Sequence, residues 1–180
     1  MVTEGLRGRD FLRLQDFKKA ELETMLELGL QLNADNTMRR PHDDILPRST
    51  LFMMFFNPSL RTMSSFQAGM ARLGGSSFVI SAGNGTWQLE TRRGAIMDGV
   101  AAEHVREGVR LLSHYCDVLG IRAFAGGTNL NEDLAETSFR EMTSRVAKPV
   151  INMESAVNHP CQALADWKTM DDLGLPQRAK

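Results

Sequence analysis

Asn57-Pro58-Ser59-Leu60-Arg61-Thr62 sets two hydroxyls and a guanidinium side by side, directly after a short apolar run. If that run is a strand and Ser59 opens a helix, unpaired N–H groups and the positive end of the helix dipole meet the hydroxyls at one point. Arg61 adds a planar fork that matches phosphate or carboxylate, and together these make an anion cradle. Taken singly, the stretch is equally a serine helix cap with an arginine in water. No Gly-x-x-x-x-Gly-Lys precedes it, so it is not a nucleoside-triphosphate loop. Arg122 follows the apolar Val118-Leu119-Gly120-Ile121 and is either a solvated rim residue or a second cation for the same anion. In His159-Pro160-Cys161-Gln162, proline at the first helical position leaves His159 at the cap and Gln162 in the first turn. The imidazole can donate to a carbonyl oxygen and the glutamine amide can donate and accept, although a simple capping histidine fits as well.

Other polar or aromatic residues carry weaker signals. Trp87, in Gly83-Asn84-Gly85-Thr86-Trp87, has little local apolar cover; it packs over a domain edge or offers its indole N–H to a pocket, including one on another subunit. Glu154 is a loop charge or a binder of a cationic substrate, and Asp98 is a cap or turn residue. His42, His104 and His114 are isolated and read as surface or structural. No serine or cysteine has an adjacent base and no His/Cys cluster has metal spacing, so no metal or cofactor is expected. Catalysis at such a site comes from positioning and electrostatic stabilisation.

Strand and helix patterns alternate to carry these clusters. Asp16 is placed to cap a helix running to about Asn33, and polar residues and prolines to Pro47 read as a loop. Strands are expected over 50–56, 76–81, 116–121 and 149–153. Helices are expected from Ser59 to Leu73, with Met63, Phe66 and Met70 on one face and Gly74-Gly75 as its stop, near 102–114, from after Asn131 to about Thr143, and from Pro160 to Gly174. Four such cycles predict an α/β fold with a four-stranded parallel sheet flanked by helices. Ligands of such sheets sit beyond the carboxyl ends of the strands, which is where all three clusters fall.

Bulk composition narrows the class. Against 22 acidic residues stand 21 Lys plus Arg, a net charge of −1, so no polycationic face for nucleic acid is implied. No apolar run approaches the roughly 18 residues of a membrane span, and a secretory signal is not evident. Cys116 and Cys161 read as reduced thiols of a cytoplasmic protein.

As a set, Gly8-Arg9-Asp10-Phe11-Leu12, Phe56-Asn57-Pro58-Ser59-Leu60-Arg61-Thr62, Leu73-Gly74-Gly75, Gly120-Ile121-Arg122 and His159-Pro160-Cys161-Gln162 resemble the aspartate/ornithine carbamoyltransferase family, in family order. The resemblance runs from about residue 8 to 175. It implies that Ser59, Leu60 (through its backbone), Arg61 and Thr62 bind the phosphate of carbamoyl phosphate. Arg122 would then contact phosphate and carbonyl oxygen, His159 the carbonyl oxygen, and Gln162 the carbamoyl amine. Arg61, Thr62, Arg122, His159 and Gln162 become the catalytic set. Met63 stands where many members carry another arginine.

Trp87-Gln88-Leu89-Glu90-Thr91, Ile96-Met97-Asp98-Gly99 and Asn152-Met153-Glu154 resemble the N-acylornithine branch. That likeness implies a homotrimer in which Trp87 completes a neighbour's carbamoyl phosphate site, and a role for Glu154 in receiving the N-acylornithine acceptor. Ala102 matches neither the glutamate of N-acetyl enzymes nor the proline of N-succinyl ones, while Leu89-Glu90-Thr91-x-Arg93-Gly94 leans to the succinyl type. The expected reaction moves the carbamoyl group to the side-chain amine of an N-acylated ornithine and releases phosphate, a step of arginine biosynthesis. Ornithine or another amine as acceptor, or a non-catalytic anion-binding or assembly module, are the alternatives. Family chains are roughly twice this length. Residues 1–157 are therefore expected to be the carbamoyl-phosphate half, and 158–180 an interdomain helix leading to a second domain, with weak ligand binding and little turnover from this half alone.

Overall fold

Leu51, Met53 and Phe55 cannot be buried together with Phe52 and Met54 unless both faces of their strand are covered. In the computed structural model, which describes residues 5–175, strand β1 (Thr50–Phe55) meets that requirement, all five side chains being buried. It shares one sheet with β2 (Ser76–Ser81), β5 (Val118–Arg122) and β6 (Val150–Glu154), all parallel, in the order β2-β1-β5-β6. The expected four-stranded parallel sheet is therefore present. The N-terminal segment adds to its edge: Phe11 bridges Ile151 in parallel, and Asp10 accepts from the Val150 N–H at 2.9 Å.

Alternation along the strands splits the core in two. One face gathers Phe52, Met54, Leu119, Ile121 and Val150 against Val105 and Val109 of α3 (Val105–Leu112) and Phe139 and Met142 of a later helix. The other gathers Leu51, Met53, Phe55 and Met153 against Met63, Phe66 and Met70 of α2 (Leu60–Arg72). Met63 thus packs into this second cluster rather than supporting the anion loop. The last helix, α6 (Pro160–Asp172), follows β6.

Three expectations need correction. Asp16 does not cap a helix; it closes a short 3-10 turn and pairs with Arg13, and the arginine holds its carboxyl below the ordinary value through a side-chain hydrogen bond. Helix α1 (Lys19–Thr37) starts after Lys18, whose N–H donates to Glu21 at 2.7 Å, and it runs four residues past Asn33. The single helix expected from after Asn131 to Thr143 is two, α4 (Leu130–Ala135) and α5 (Thr137–Thr143), broken at Glu136 in a left-handed conformation (φ 51°, ψ 38°). A two-stranded parallel sheet, β3 (Leu89–Glu90) with β4 (Glu103–His104), was not expected; it ties the Trp87 loop to the start of α3. Among the described residues no helix is long and apolar enough to cross a membrane. The expected beginning of a second domain, 176–180, lies outside the described residues.

Candidate functional site

Because all four strands are parallel, their carboxyl ends share one edge, and the register aligns Phe55 with Arg122 and Arg122 with Glu154. The loop after β1 is fastened to the loop after β5 by Asn57, whose Oδ1 accepts from the Phe124 N–H at 2.8 Å. The Arg61 and Arg122 segments therefore meet on one rim.

Ser59 caps α2, its Oγ accepting from the Thr62 N–H at 3.3 Å and donating to Thr62 Oγ1 at 2.9 Å. The first intrahelical bond is Met63 N–H to Ser59 O, so the Leu60 and Arg61 N–H groups point outward from the first turn. Leu60 is 78% exposed, which suits a residue that would act through its backbone. Arg61 is exposed at the same turn.

Arg122 is buried. Its Nη1 donates to Met153 O at 3.2 Å and to the Glu154 carboxylate, and its guanidinium stacks 4.6 Å over the Phe124 ring. Its Nε is fully buried without an acceptor. Leaving a buried donor unsatisfied costs about 1–3 kcal/mol, so this N–H is a donor the protein's own groups do not satisfy. Glu154 Oε2 lies also 3.7 Å from His159 Nε2. His159 Nδ1 accepts from the Gln162 N–H at 3.4 Å, which assigns the donor role to Nε2. One carboxylate oxygen thus accepts from the guanidinium and lies 3.7 Å from the imidazole Nε2, close to it but beyond hydrogen-bond reach. Gln162 faces elsewhere: its Nε2 donates to Asp166 at 2.8 Å, down the helix.

Trp87 does not join this group. It is 62% exposed and lines a cavity of about 440 Å³ with Met54, Ile80, Leu89 and Leu112, on the α3 side of the sheet. Glu90 and His104 anchor its loop. The Arg92 side chain and backbone N–H hold the Glu90 carboxyl down at about 2 from 4.5, and His104 accepts from the Arg106 N–H and faces Arg92 O. A carboxyl depressed by folding stabilises above its unfolded value and loses that contribution as pH falls toward its folded one. Glu90→Gln is accordingly expected to lower the melting temperature near neutrality, and the gap to the parent narrows below pH 4.5. Melting curves at stepped pH check this; a gap of constant width contradicts it.

Neither cysteine is activated. Burial raises the Cys116 thiol and pushes that of Cys161 up to about 11. Among the described residues no group of His, Cys, Asp or Glu could hold a metal ion. A cleft of about 770 Å³ lined by Phe56, Phe124, Glu136 and Ala156 contains none of the expected site residues. Strand alternation explains this: Ile121 faces the α3 side, so Arg122 faces the other.

Two groups were missed in the sequence. Asn57 carries the loop-to-loop bond, and Glu136, Asn152, Ser155 and Asn158 form a polar network behind Glu154. Asn57 and Asn152 lie inside sequence motifs, but nothing in those motifs announces these bonds, because both groups act through contacts between distant segments.

Against known proteins, the family model for the aspartate/ornithine carbamoyltransferase carbamoyl-P binding domain matches residues 9–172. N-succinylornithine carbamoyltransferase of Bacteroides fragilis is 34% identical over 172 residues, 96% of this chain and 52% of that protein. N-acetylornithine carbamoyltransferase of Xanthomonas campestris pv. campestris is 36% identical over 157 residues, 87% of this chain and 44% of its own. Ornithine carbamoyltransferase of Thermococcus kodakarensis is 39% identical over 169 residues, 94% of this chain and 46% of that protein. Among solved structures, an N-acetyl-L-ornithine transcarbamylase variant complexed with carbamyl phosphate and N-succinyl-L-norvaline superposes with a TM-score of 0.81 at 34% identity, over 96% of this chain and 51% of the other. The chain spans about half the length of the curated relatives it matches.

Proposed function

Since the chain belongs to the aspartate/ornithine carbamoyltransferase family, by a match to the carbamoyl-P binding domain over residues 9–172, we propose that its sheet edge binds carbamoyl phosphate and presents it to an amine. The observation that carries this reading is the convergence of Arg122 Nη1, bonded to Glu154 Oε2, and His159 Nε2, 3.7 Å from the same oxygen. An oxygen between those two groups would be polarised as a reacting carbonyl requires. In this reading Ser59, the Leu60 and Arg61 N–H groups, the Arg61 guanidinium and Thr62 take the phosphate. Arg122 and His159 stabilise the oxyanion as the acceptor nitrogen bonds to the carbonyl carbon, and the carbon–oxygen bond to phosphate then breaks. Gln162 turns from Asp166 to the carbamoyl amine.

The acceptor is an N-acylated ornithine, received in part by Glu154. Support comes from the N-succinyl- and N-acetylornithine carbamoyltransferase names of the relatives. The protein would then serve arginine biosynthesis in the cytoplasm as a homotrimer, with the exposed Trp87 reaching a neighbouring site. Residues 1–157 would form the carbamoyl phosphate domain and 158–180 the passage to an acceptor domain. Unmodified ornithine is the second reading, favoured by the 39% identity to the Thermococcus enzyme.

Calorimetry with carbamoyl phosphate tests the first step. A charge-assisted hydrogen bond contributes about 1.5–3 kcal/mol, so Arg61→Ala is expected to weaken binding at least about tenfold. Equal affinity in parent and variant would falsify the cradle. Transfer assays with N-succinylornithine, N-acetylornithine and ornithine separate the acceptors.

A further inference from the structure

We propose that Glu136 is a positioning residue for this site: its buried carboxylate gathers Ser155, Val157 and Asn158 and so fixes the turn that carries Glu154 and delivers His159. The assignment rests on the carbamoyl phosphate reading above. Glu136 is 7% exposed, far from the anion cradle in sequence, and has no place in the expected machinery. Its Oε1 accepts from the Ser155 hydroxyl and from the Val157 N–H at 3.1 Å, and its Oε2 accepts from Asn158 Nδ2 at 2.8 Å. The network continues inward. Asn152, fully buried, donates through Nδ2 to Ser155 Oγ at 2.8 Å and to Leu12 O at 3.0 Å, and its Oδ1 accepts the Glu154 N–H at 2.9 Å. Ser155 N–H closes the turn on Asn158 O at 2.8 Å.

All three bonds of the Glu136 carboxylate end on the stretch between β6 and α6. Glu154 holds a positive φ of 142°, rare for a side-chain-bearing residue, and the Asn152 side-chain amide oxygen fastens its N–H. Glu136 is itself held in the left-handed region, its N–H on Asp133 O and its carbonyl receiving the Arg140 N–H. Two helices are interrupted so that one carboxylate can face this turn. A continuous helix would have carried Glu136 around its axis, away from residues 155–158. The Ser59–Thr62 cradle, by contrast, is built on β1 and α2 and held by Asn57, with no bond to Glu136. The two ends of the ligand site thus have separate supports, and Glu136 serves the carbonyl end.

That separation makes the test selective. Calorimetry on the full chain compares inorganic phosphate, which needs the cradle, with carbamoyl phosphate, which also needs His159 in place. Glu136→Ala is expected to leave phosphate affinity within about twofold and to weaken carbamoyl phosphate about tenfold, since misplaced supporting groups degrade a site without removing it. Glu136→Gln can still accept from Ser155 and Val157 through its amide oxygen and, with the Asn158 amide turned, donate to Asn158 Oδ1, so it should stay within about threefold of the parent. If Glu136→Ala fails to fold, Asn158→Ala removes one donor and should show the same selectivity at smaller amplitude. Equal weakening of both ligands, or of neither, overturns the assignment. A parent chain that binds neither ligand refutes the carbamoyl phosphate reading itself, and Glu136 loses its role with it.

Discussion

Arg122→Ala is expected to weaken carbamoyl phosphate binding about thirtyfold or more, because truncating one member of a buried, hydrogen-bonded charge site costs about 2–5 kcal/mol. The residue is buried at the end of β5, where the strand fixes its Cα, Phe124 stacks on its plane and Met153 O takes one of its protons. Little reorganisation is left to pay when an oxygen arrives, so the fork is preorganised. Arg122→Lys should recover only part of the loss, since an ammonium reproduces neither the planar fork nor the stacking on Phe124. Glu154→Gln isolates the charge: it keeps the fork and removes the resident carboxylate, so inorganic phosphate binding should not fall. Calorimetry on the three variants, with thermal melts to show that each is folded, decides the matter. Retention of near-parental affinity in Arg122→Ala would mean that the anion sits elsewhere.

The arginine itself was readable in sequence because it ends an apolar run, and so was its edge. Four runs of strand-forming residues, each followed by a helix signal, leave few arrangements other than a parallel sheet, and in that sheet the ends after Phe55, Arg122 and Glu154 must coincide. What could not be read was anything decided between segments. Asp16 looked like a cap, yet Arg13 captures its carboxylate and leaves the helix to begin after Lys18. Residues 131–143 contain no Gly or Pro to mark a stop, and the donors at 155–158 reward a break at Glu136. Met63 had apolar spacing but no stated destination until Met153 and Phe55 supplied one. The family motifs carried more than periodicity did, since they named Arg61, His159 and Gln162 without needing the contacts. They did not foresee Gln162 lying along α6 against Asp166.

Gly74→Ala should be among the most destabilising single substitutions in the chain, by about 3 kcal/mol or more, lowering the melting temperature by roughly 10 °C. Two independent penalties meet there. Gly74 has φ +82°, a conformation that L side chains adopt only at a cost, and a Cβ built on it would lie 1.6 Å from the backbone carbonyl oxygen of Asp43. That neighbour is main chain and is not free to swing aside, since Leu46 N–H is bonded to Leu73 O and Ser76 N–H to Ser49 O. The loop before β1 and the turn before β2 are therefore locked together through this glycine. Thr50 pairs with Ser76 only while they stay locked, and β1 carries the cradle at its far end. Gly69→Ala, inside the preceding helix α2, provides the contrast: nothing lies within 4 Å of the added methyl, so the usual helical gain of about 0.5–1 kcal/mol should appear as stabilisation. Melting curves for the pair must diverge in opposite directions; a Gly74→Ala chain as stable as the parent would mean that the 43–49 loop is not packed against this turn.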